Sequence, residues 1–325
     1  MERIPNTPPV IPKLPSSNPE LLWSVMIPVY NCSRFIPAAL ESVLTQDMGE
    51  VHMQIEVIDD ASTDADVGKI VREVGKGRIG YFRQPQNVGS LRNFETCINR
   101  SKGTLLHLLH GDDRVEKGFY RKMTSLFQNY PEAGAAFCRY ATIDDKDVRL
   151  FENKALQKHE GILEDALVKI AIEQNIQVVT MVVKRQVYEH LGGFFGVKYG
   201  EDWEMWARIA KYYPVAYTPE VLAEYRKHLG SISWKKREDG QNTIDLAYVL
   251  SLIESYLPQE KKILMSGAKK SCALYCMNKA NVIWGETRNK SKALSQVYLA
   301  LSLNRSLTIY YHILKFYIKL TLKIY

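Results

Sequence analysis

The chain has 325 residues, 46% of them hydrophobic and 24% charged, which suits a globular protein with a large buried core. Its formal charge is +7, and the excess is local: no acidic residue follows Glu286, whereas Arg288, Lys290, Lys292, Arg305, Lys315, Lys319 and Lys323 all do. Residues 1–286 are therefore balanced, which excludes the broad basic face of a nucleic-acid binder, and no run of about 18 uncharged apolar residues offers a spanning helix.

Residues 1–20 carry Pro5, Pro8, Pro9, Pro12, Pro15 and Pro19 and lack the apolar stretch of a signal peptide; they read as an extended, loosely ordered arm. From 21 to 236 short apolar runs alternate with helical patterns, as in a layered α/β domain. Strands are predicted at Leu21–Val29, Gln54–Ile58, Ile79–Phe82, Thr104–Leu109, Ala135–Tyr140 and Gln177–Val183. Helices are predicted at Ser33–Gln46, Ser90–Asn99, Lys117–Asn129 and Asp202–Tyr212. From 237 to 325 only helical spacing remains, with predicted helices at Thr243–Tyr256, Lys261–Trp284, Lys292–Leu303 and Leu307–Tyr325. Five cysteines without a C-x-x-C pair point to a reducing, cytoplasmic location, and Cys272 and Cys276, four apart on one helix, read as core.

Two acidic pairs, Asp59-Asp60 and Asp112-Asp113, fall where predicted strands end. In open α/β sheets that is the edge at which ligands bind, so both pairs are expected in one crevice. Two hard carboxylates on a tight turn after Gly111 suit Mg²⁺ or Mn²⁺, although a solvated Gly-Asp-Asp turn has the same spelling. Glu201-Asp202-Trp203 opens a helix. Asp202 reads either as a cap that offsets the helix dipole or as a general base for a hydroxyl whose pKa lies far above neutrality. Glu201 and Trp203 beside it are candidate acceptor contacts, with Trp203 either an apolar face for a sugar ring or core. No Gly-x-Gly-x-x-Gly opens the first helix and no phosphate loop of the G-x-x-x-x-G-K-[ST] type occurs.

The sequence resembles the family 2 glycosyltransferases over roughly residues 22–234. The matching segments are Ser24–Asn31, Glu41–Gln46, Glu56–Asp64, Asn87-Val88-Gly89, His110-Gly111-Asp112-Asp113, Gly200-Glu201-Asp202-Trp203 and Tyr225-Arg226-x-His228. Each is weak alone; their order carries the resemblance. It implies the nucleotide-diphospho-sugar transferase (glycosyltransferase A) fold, a mixed central sheet flanked by helices, here followed by an all-helical C-terminal region. By position it implies that Pro28, Val29 and Tyr30 line the base pocket and that Asp60 binds the base edge. It implies that Asp112 and Asp113 hold the divalent metal, Asp113 most directly, and that Arg92 and His228 reach the diphosphate. Asp202 is then the catalytic base. His110 stands where the family often has Asp, and Leu91-Arg92-Asn93 replaces the more usual Ala-Arg-Asn. The implied activity is inverting, metal-dependent transfer of a hexosyl group from a nucleotide-sugar, expected to be a UDP-sugar, to an acceptor hydroxyl. The acceptor would be a glycan or a lipid-linked glycan in surface polysaccharide or glycoconjugate synthesis.

Two rivals stand beside this reading. One is a catalytically silent nucleotide-sugar or carbohydrate-binding protein of the same fold, for which retention of Asp112, Asp113 and Asp202 has no use. The other is a nucleotidyltransferase, which needs a Gly-rich loop where this chain has Tyr30-Asn31-Cys32-Ser33-Arg34. Residues 304–325 place Lys315, Lys319 and Lys323 on one stripe of a broadly apolar, aromatic helix. Such a helix either lies on a membrane surface or packs on its own domain or on a sister subunit of an oligomer.

Overall fold

The structure, a computed structural model, describes residues 2–14, 20–228 and 241–322. Its strands are β1 (Trp23–Val29), β2 (Met53–Asp59), β3 (Gly80–Arg83), β4 (Leu105–Leu108), β5 (Arg114–Val115), β6 (Ala135–Ile143), β7 (Arg149–Glu152), β8 (Gly161–Ile162), β9 (Met181–Lys184) and β10 (Val215–Arg226). They form one mixed sheet in the order β3-β2-β1-β4-β9-β6-β10-β5, with β7 on β6 and β8 on β10. β1 to β4 pair in parallel, with Val29 opposite Asp59 and Met26 opposite Leu108. β9 is antiparallel to both β4 and β6, and β6 is parallel to β10. The carboxyl ends of β1, β2, β4, β6 and β10 therefore face one edge, where the crevice of an α/β sheet forms.

The helices are α1 (Ile36–Leu44), α2 (Val67–Gly75), α3 (Ser90–Arg100), α4 (Phe119–Asn129), α5 (Ala166–Ile172), α6 (Arg185–Leu191), α7 (Glu201–Tyr212), α8 (Gln241–Tyr256), α9 (Met265–Thr287), α10 (Lys290–Leu303) and α11 (Leu307–Leu322). The central strand β1 is apolar on both faces because both are covered. Trp23, Val25, Ile27 and Val29 pack with α1, α2 and α4, while Met26 joins the core beneath α3 and α7. That second core continues through Val249, Ala273, Cys276, Val297 and Phe316 of the C-terminal helices. Tyr256 of α8 donates its hydroxyl to Glu204, and Glu204 also holds Arg208, so α8 buttresses α7 through a buried polar cluster. Cys272 and Cys276 lie in this core, as expected from their spacing. The expected domain boundary at 236/237 lies outside the described residues.

Three of the differences from the sequence expectation bear on the site, besides short elements such as α2 and α6 that were not predicted. The stretch predicted as a strand at Gln177–Val183 begins as a 3-10 turn at Val178–Thr180, and only Met181–Lys184 is extended. β10, the long strand beside β6, was not predicted, because Thr218-Pro219-Glu220 interrupts its apolar pattern. Its register against β6 shifts between Tyr217 and Val221. The third is the Pro-rich arm, expected to be extended and loose. Over residues 2–14 it is tied down: Pro5 O accepts from Gly196 N (2.8 Å) and Pro9 O from Gly193 N (2.9 Å). Arg185 donates to Pro12 O, and Ile11 is buried in the core, which is worth about 1.5–3 kcal/mol for such a side chain.

Candidate active site

At the open edge of the sheet lies a cleft of about 560 Å³. The end of β1 supplies Pro28, Val29 and Tyr30 to its wall, with Tyr30 exposed at the mouth. After β2 the chain turns at Asp60, whose carboxylate anchors the loop that leads into α3. Its oxygens accept from Val88 N (2.7 Å), Gly89 N (2.9 Å) and Asn87 Nδ2 (2.8 Å). Burial pushes the Asp60 carboxyl above its usual range, while the amides of Val88 and Gly89 and the charge of Arg3 partly offset this. Three donors leave roughly one of a carboxylate's four lone-pair sites for a ligand.

The motif His110-Gly111-Asp112-Asp113 follows β4. Gly111 is required by close approach: a Cβ there would lie 2.5 Å from Val29 Cγ1, so only glycine lets this turn press against the end of β1. His110, Asp112 and Asp113 each offer a ligand atom, all within 4.8 Å of one another. Asp113 Oδ1 accepts Arg226 N–H at 2.8 Å, and Asp112 Oδ2 meets His228 Nε2 at 3.0 Å. Burial and the neighbouring Asp112 push the Asp113 carboxyl well above its ordinary range. Burial acts on Asp112 too, but the His228 hydrogen bond and the adjacent imidazoles bring it below the usual value. The protein alone therefore favours one negative charge on the pair over two. Burial also lowers the pKa of His110, and its Nε2 is buried without a hydrogen-bond partner.

α7 enters the cleft from the far side. Gly200 takes φ +86° just before it, a left-handed conformation that glycine adopts without strain, and packs beside Leu246 and Val249 of α8. Gly200 is the N-cap, so Asp202 is not the capping residue; it stands inside the first turn. Asp202 Oδ1 accepts from Trp203 N (2.8 Å) and Gln174 Nε2 (3.0 Å). Burial raises its pKa to about 6 in spite of these bonds. Such a group is ionised at neutral pH and is a stronger base than a solvated aspartate, the poise a general base needs. Asp60, Asp112, Asp113, Glu201 and Asp202 thus line one hollow together with Pro28, Val29, Tyr30 and His228.

Residues 24–191, more than half of the chain, match the family described as Glycosyl transferase family 2. The chain belongs to this glycosyltransferase family. An uncharacterized protein of Mycobacterium tuberculosis is 26% identical over 243 residues, covering 71% of this chain and 75% of that one. Among solved structures, S. aureus TarS 1–349 superposes with a TM-score of 0.64 at 13% identity, over 87% of this chain and 81% of that one. The mannosyltransferase PcManGT of Pyrobaculum calidifontis, solved with GDP-Man and Mn²⁺, gives a TM-score of 0.55 at 16% identity, over 95% of this chain and 90% of that one. The fold is the glycosyltransferase A fold, with a helical C-terminal region.

In this glycosyltransferase two of the residues singled out from sequence lie elsewhere. Arg92 does not line the cleft: its Nε donates to Glu2 O (2.8 Å) and its Nη1 to Glu95 (2.7 Å), so its charge is paired away from the cleft. Trp203 is 7% exposed, and its indole N–H donates to Ile170 O at 2.6 Å, a core position rather than a platform for a sugar ring. His228 lies in the cleft, paired with Asp112 and packed 4.8 Å from the Phe35 ring. Three further residues had no role assigned from sequence. Arg226 fastens the His110–Asp113 turn through its backbone N–H and through Nε to Asp112 O (2.8 Å), and its signal was present within Tyr225-Arg226-x-His228. Gln174 positions Asp202, and Arg3 reaches the cleft from the arm. Neither carries a sequence motif.

Proposed function

We propose that this glycosyltransferase moves a hexosyl group from a nucleoside diphosphate sugar to an acceptor hydroxyl with inversion at the anomeric carbon. The observation that carries the reading is the convergence of Asp60, Asp113 and Asp202, remote in sequence, on one hollow whose volume suits a nucleotide-sized ligand. TarS was solved with UDP-GlcNAc and PcManGT with GDP-Man, and these printed ligands support a nucleotide-sugar here. The end of β1 and the Asp60–Asn87 loop hold the base, and the His110–Asp113 turn faces the diphosphate.

The donor set suits a divalent cation. Asp112 and Asp113 would hold it and His110 would add a ring nitrogen, a donor that favours Mn²⁺ over Mg²⁺. When bound, such a cation supplies positive charge for the departing nucleoside diphosphate. Asp202 accepts the acceptor proton at its carboxylate as the acceptor oxygen closes on the anomeric carbon from the opposite face. Gln174 and the Trp203 N–H hold that carboxylate in one orientation. A single displacement of this kind needs no enzyme nucleophile and inverts the centre. Glu201, beside Asp202 on the cleft wall, is placed for the acceptor.

The acceptor side is proposed to face lipid. α11 packs inward through Ile309, Ile313 and Phe316, which leaves an outer face of Leu307 (88% exposed), Tyr311, Leu314 (61%), Ile318 and Leu322 (63%), bordered by Lys315. Seven basic residues and no acidic one lie after Glu286, a charge excess that would add attraction to an anionic membrane surface for the apolar face. No helix among the described residues is long and apolar enough to cross a membrane. A membrane-bound chain of this kind would suit a lipid-linked glycan as acceptor.

A thermal-shift panel of nucleoside diphosphates and their sugars with and without Mn²⁺ tests the donor reading. A ligand at 100 times its Kd adds about 2.7 kcal/mol to apparent stability. A rise confined to one nucleotide class and enlarged by Mn²⁺ supports the reading; no rise with any member refutes it.

A further inference from the structure

The arm delivers one charged side chain to the cleft. The Arg3 guanidinium donates to Asn87 Oδ1, and Asn87 Nδ2 donates to Asp60 Oδ2 (2.8 Å) and Asp60 O (3.1 Å). Arg3 lies across Gly89, where a Cβ would come within 3.2 Å of its Nε. Its position is fixed from both sides. Arg92 fastens Glu2 O before it, and Pro5 O, Pro9 O and buried Ile11 dock the arm after it. A guanidinium that can only donate and a carboxylate that can only accept thus stand together at the base end of the cleft, joined by one amide.

We infer that Arg3 is a base-reading residue of the donor site, selecting nucleotides whose base presents a ring N–H beside a carbonyl oxygen. This rests on the donor reading above. Uracil, thymine and guanine carry that pattern: the ring N–H suits the remaining lone pair of Asp60, and the neighbouring carbonyl suits Arg3. Cytosine and adenine carry the reverse, an amino group beside a bare ring nitrogen. Against this pair the amino group would face a donor and the ring nitrogen an acceptor, leaving polar groups unpaired on both sides. Arg92, expected at the diphosphate, instead holds in place the arm that presents Arg3.

The test is calorimetric titration of the full chain with UDP, GDP, CDP and ADP, each with Mn²⁺, for the wild type, Arg3→Ala and Arg3→Lys. The wild type is expected to favour UDP or GDP over CDP and ADP at least tenfold. Arg3→Ala should weaken the favoured nucleotide about tenfold while CDP and ADP stay within twofold, so that the preference collapses; Arg3→Lys should retain part of it. Titration with Mn²⁺ and inorganic pyrophosphate should be unchanged by either variant. A loss equal for all four nucleotides would reduce Arg3 to a brace for the Asn87 loop and overturn the inference, as would no loss at all. A wild type that binds none of the four would instead refute the donor reading itself, an outcome distinct from binding that Arg3→Ala leaves intact.

Discussion

Asp113 accepts the backbone N–H of Arg226 at 2.8 Å, joining the turn after β4 to the end of β10, a residue 113 positions further along the chain. One oxygen of the carboxylate is thus structural, and the other is free to serve the cleft. This division predicts how its variants separate. Asp113→Asn keeps an acceptor for Arg226 and should fold with a Tm close to that of the wild type, yet bind nucleotide with Mn²⁺ at least tenfold more weakly. Excess chelator should abolish turnover of the wild type. Full activity in chelator would remove the metal from the mechanism.

Asp202 predicts opposite effects on chemistry and stability. Asp202→Asn can still accept from Gln174 and Trp203 but cannot take a proton. Transfer should fall about 10²- to 10⁴-fold, while calorimetry finds nucleotide affinity unchanged within about twofold. Because the folded pKa, about 6, lies above the ordinary carboxyl value of 3.8, the native state binds more protons than the unfolded chain between those values. The associated stability is present below pH 3.8 and is lost as pH rises through about 6. Removing the charge should therefore leave Asp202→Asn about 1–3 kcal/mol more stable than wild type at pH 7.5, measured by denaturant unfolding. A variant that loses nucleotide binding along with activity would make Asp202 a structural residue.

The same pKa sets the pH profile. A base must be ionised to act, so kcat/KM should fall about tenfold per pH unit below pH 6 and level off above it. A limb that persists unchanged at low pH would assign proton acceptance to another group.

Trp203 provides a contrast with its neighbour. Trp203→Phe removes the indole N–H bond to Ile170 O and should cost about 1–3 kcal/mol in unfolding experiments, with the acceptor KM unaltered. A raised acceptor KM at unchanged stability would return Trp203 to the binding surface.

The α11 face can be tested without exposing the core. Leu314→Glu combined with Ile318→Glu alters the outer face and leaves Ile309, Ile313 and Phe316 in place. Wild type should co-sediment with vesicles containing phosphatidylglycerol and not with neutral ones, and the double variant with neither. Equal behaviour of both proteins, with a dimer that the double variant abolishes, would assign the face to a second copy.

What could be read from sequence follows from how local each signal is. β1 and α3 were legible because apolar spacing and the Asn87-x-Gly89 turn are properties of short segments. β10 was not, because Thr218-Pro219-Glu220 breaks its alternation and only pairing with β6 holds it extended. Within the site, strand ends alone place Asp60, Asp112 and Asp113 in one crevice. Arg92 was misplaced, and Trp203 left open between platform and core, for a shared reason: their partners, Glu2 O and Ile170 O, are backbone atoms remote in sequence that no residue pattern discloses. Arg3 was missed because a Pro-rich stretch reads as loose, whereas its carbonyls find the N–H groups of Gly193 and Gly196.

The most direct measurement is proton NMR of the sugar freed when water replaces the acceptor, using an α-linked donor chosen by the thermal-shift panel. In the presence of Mn²⁺ the wild type should release the β anomer first, before mutarotation, and Asp202→Asn should release almost none. Early appearance of the α anomer, or equal release by Asp202→Asn, would contradict a single displacement assisted by that carboxylate.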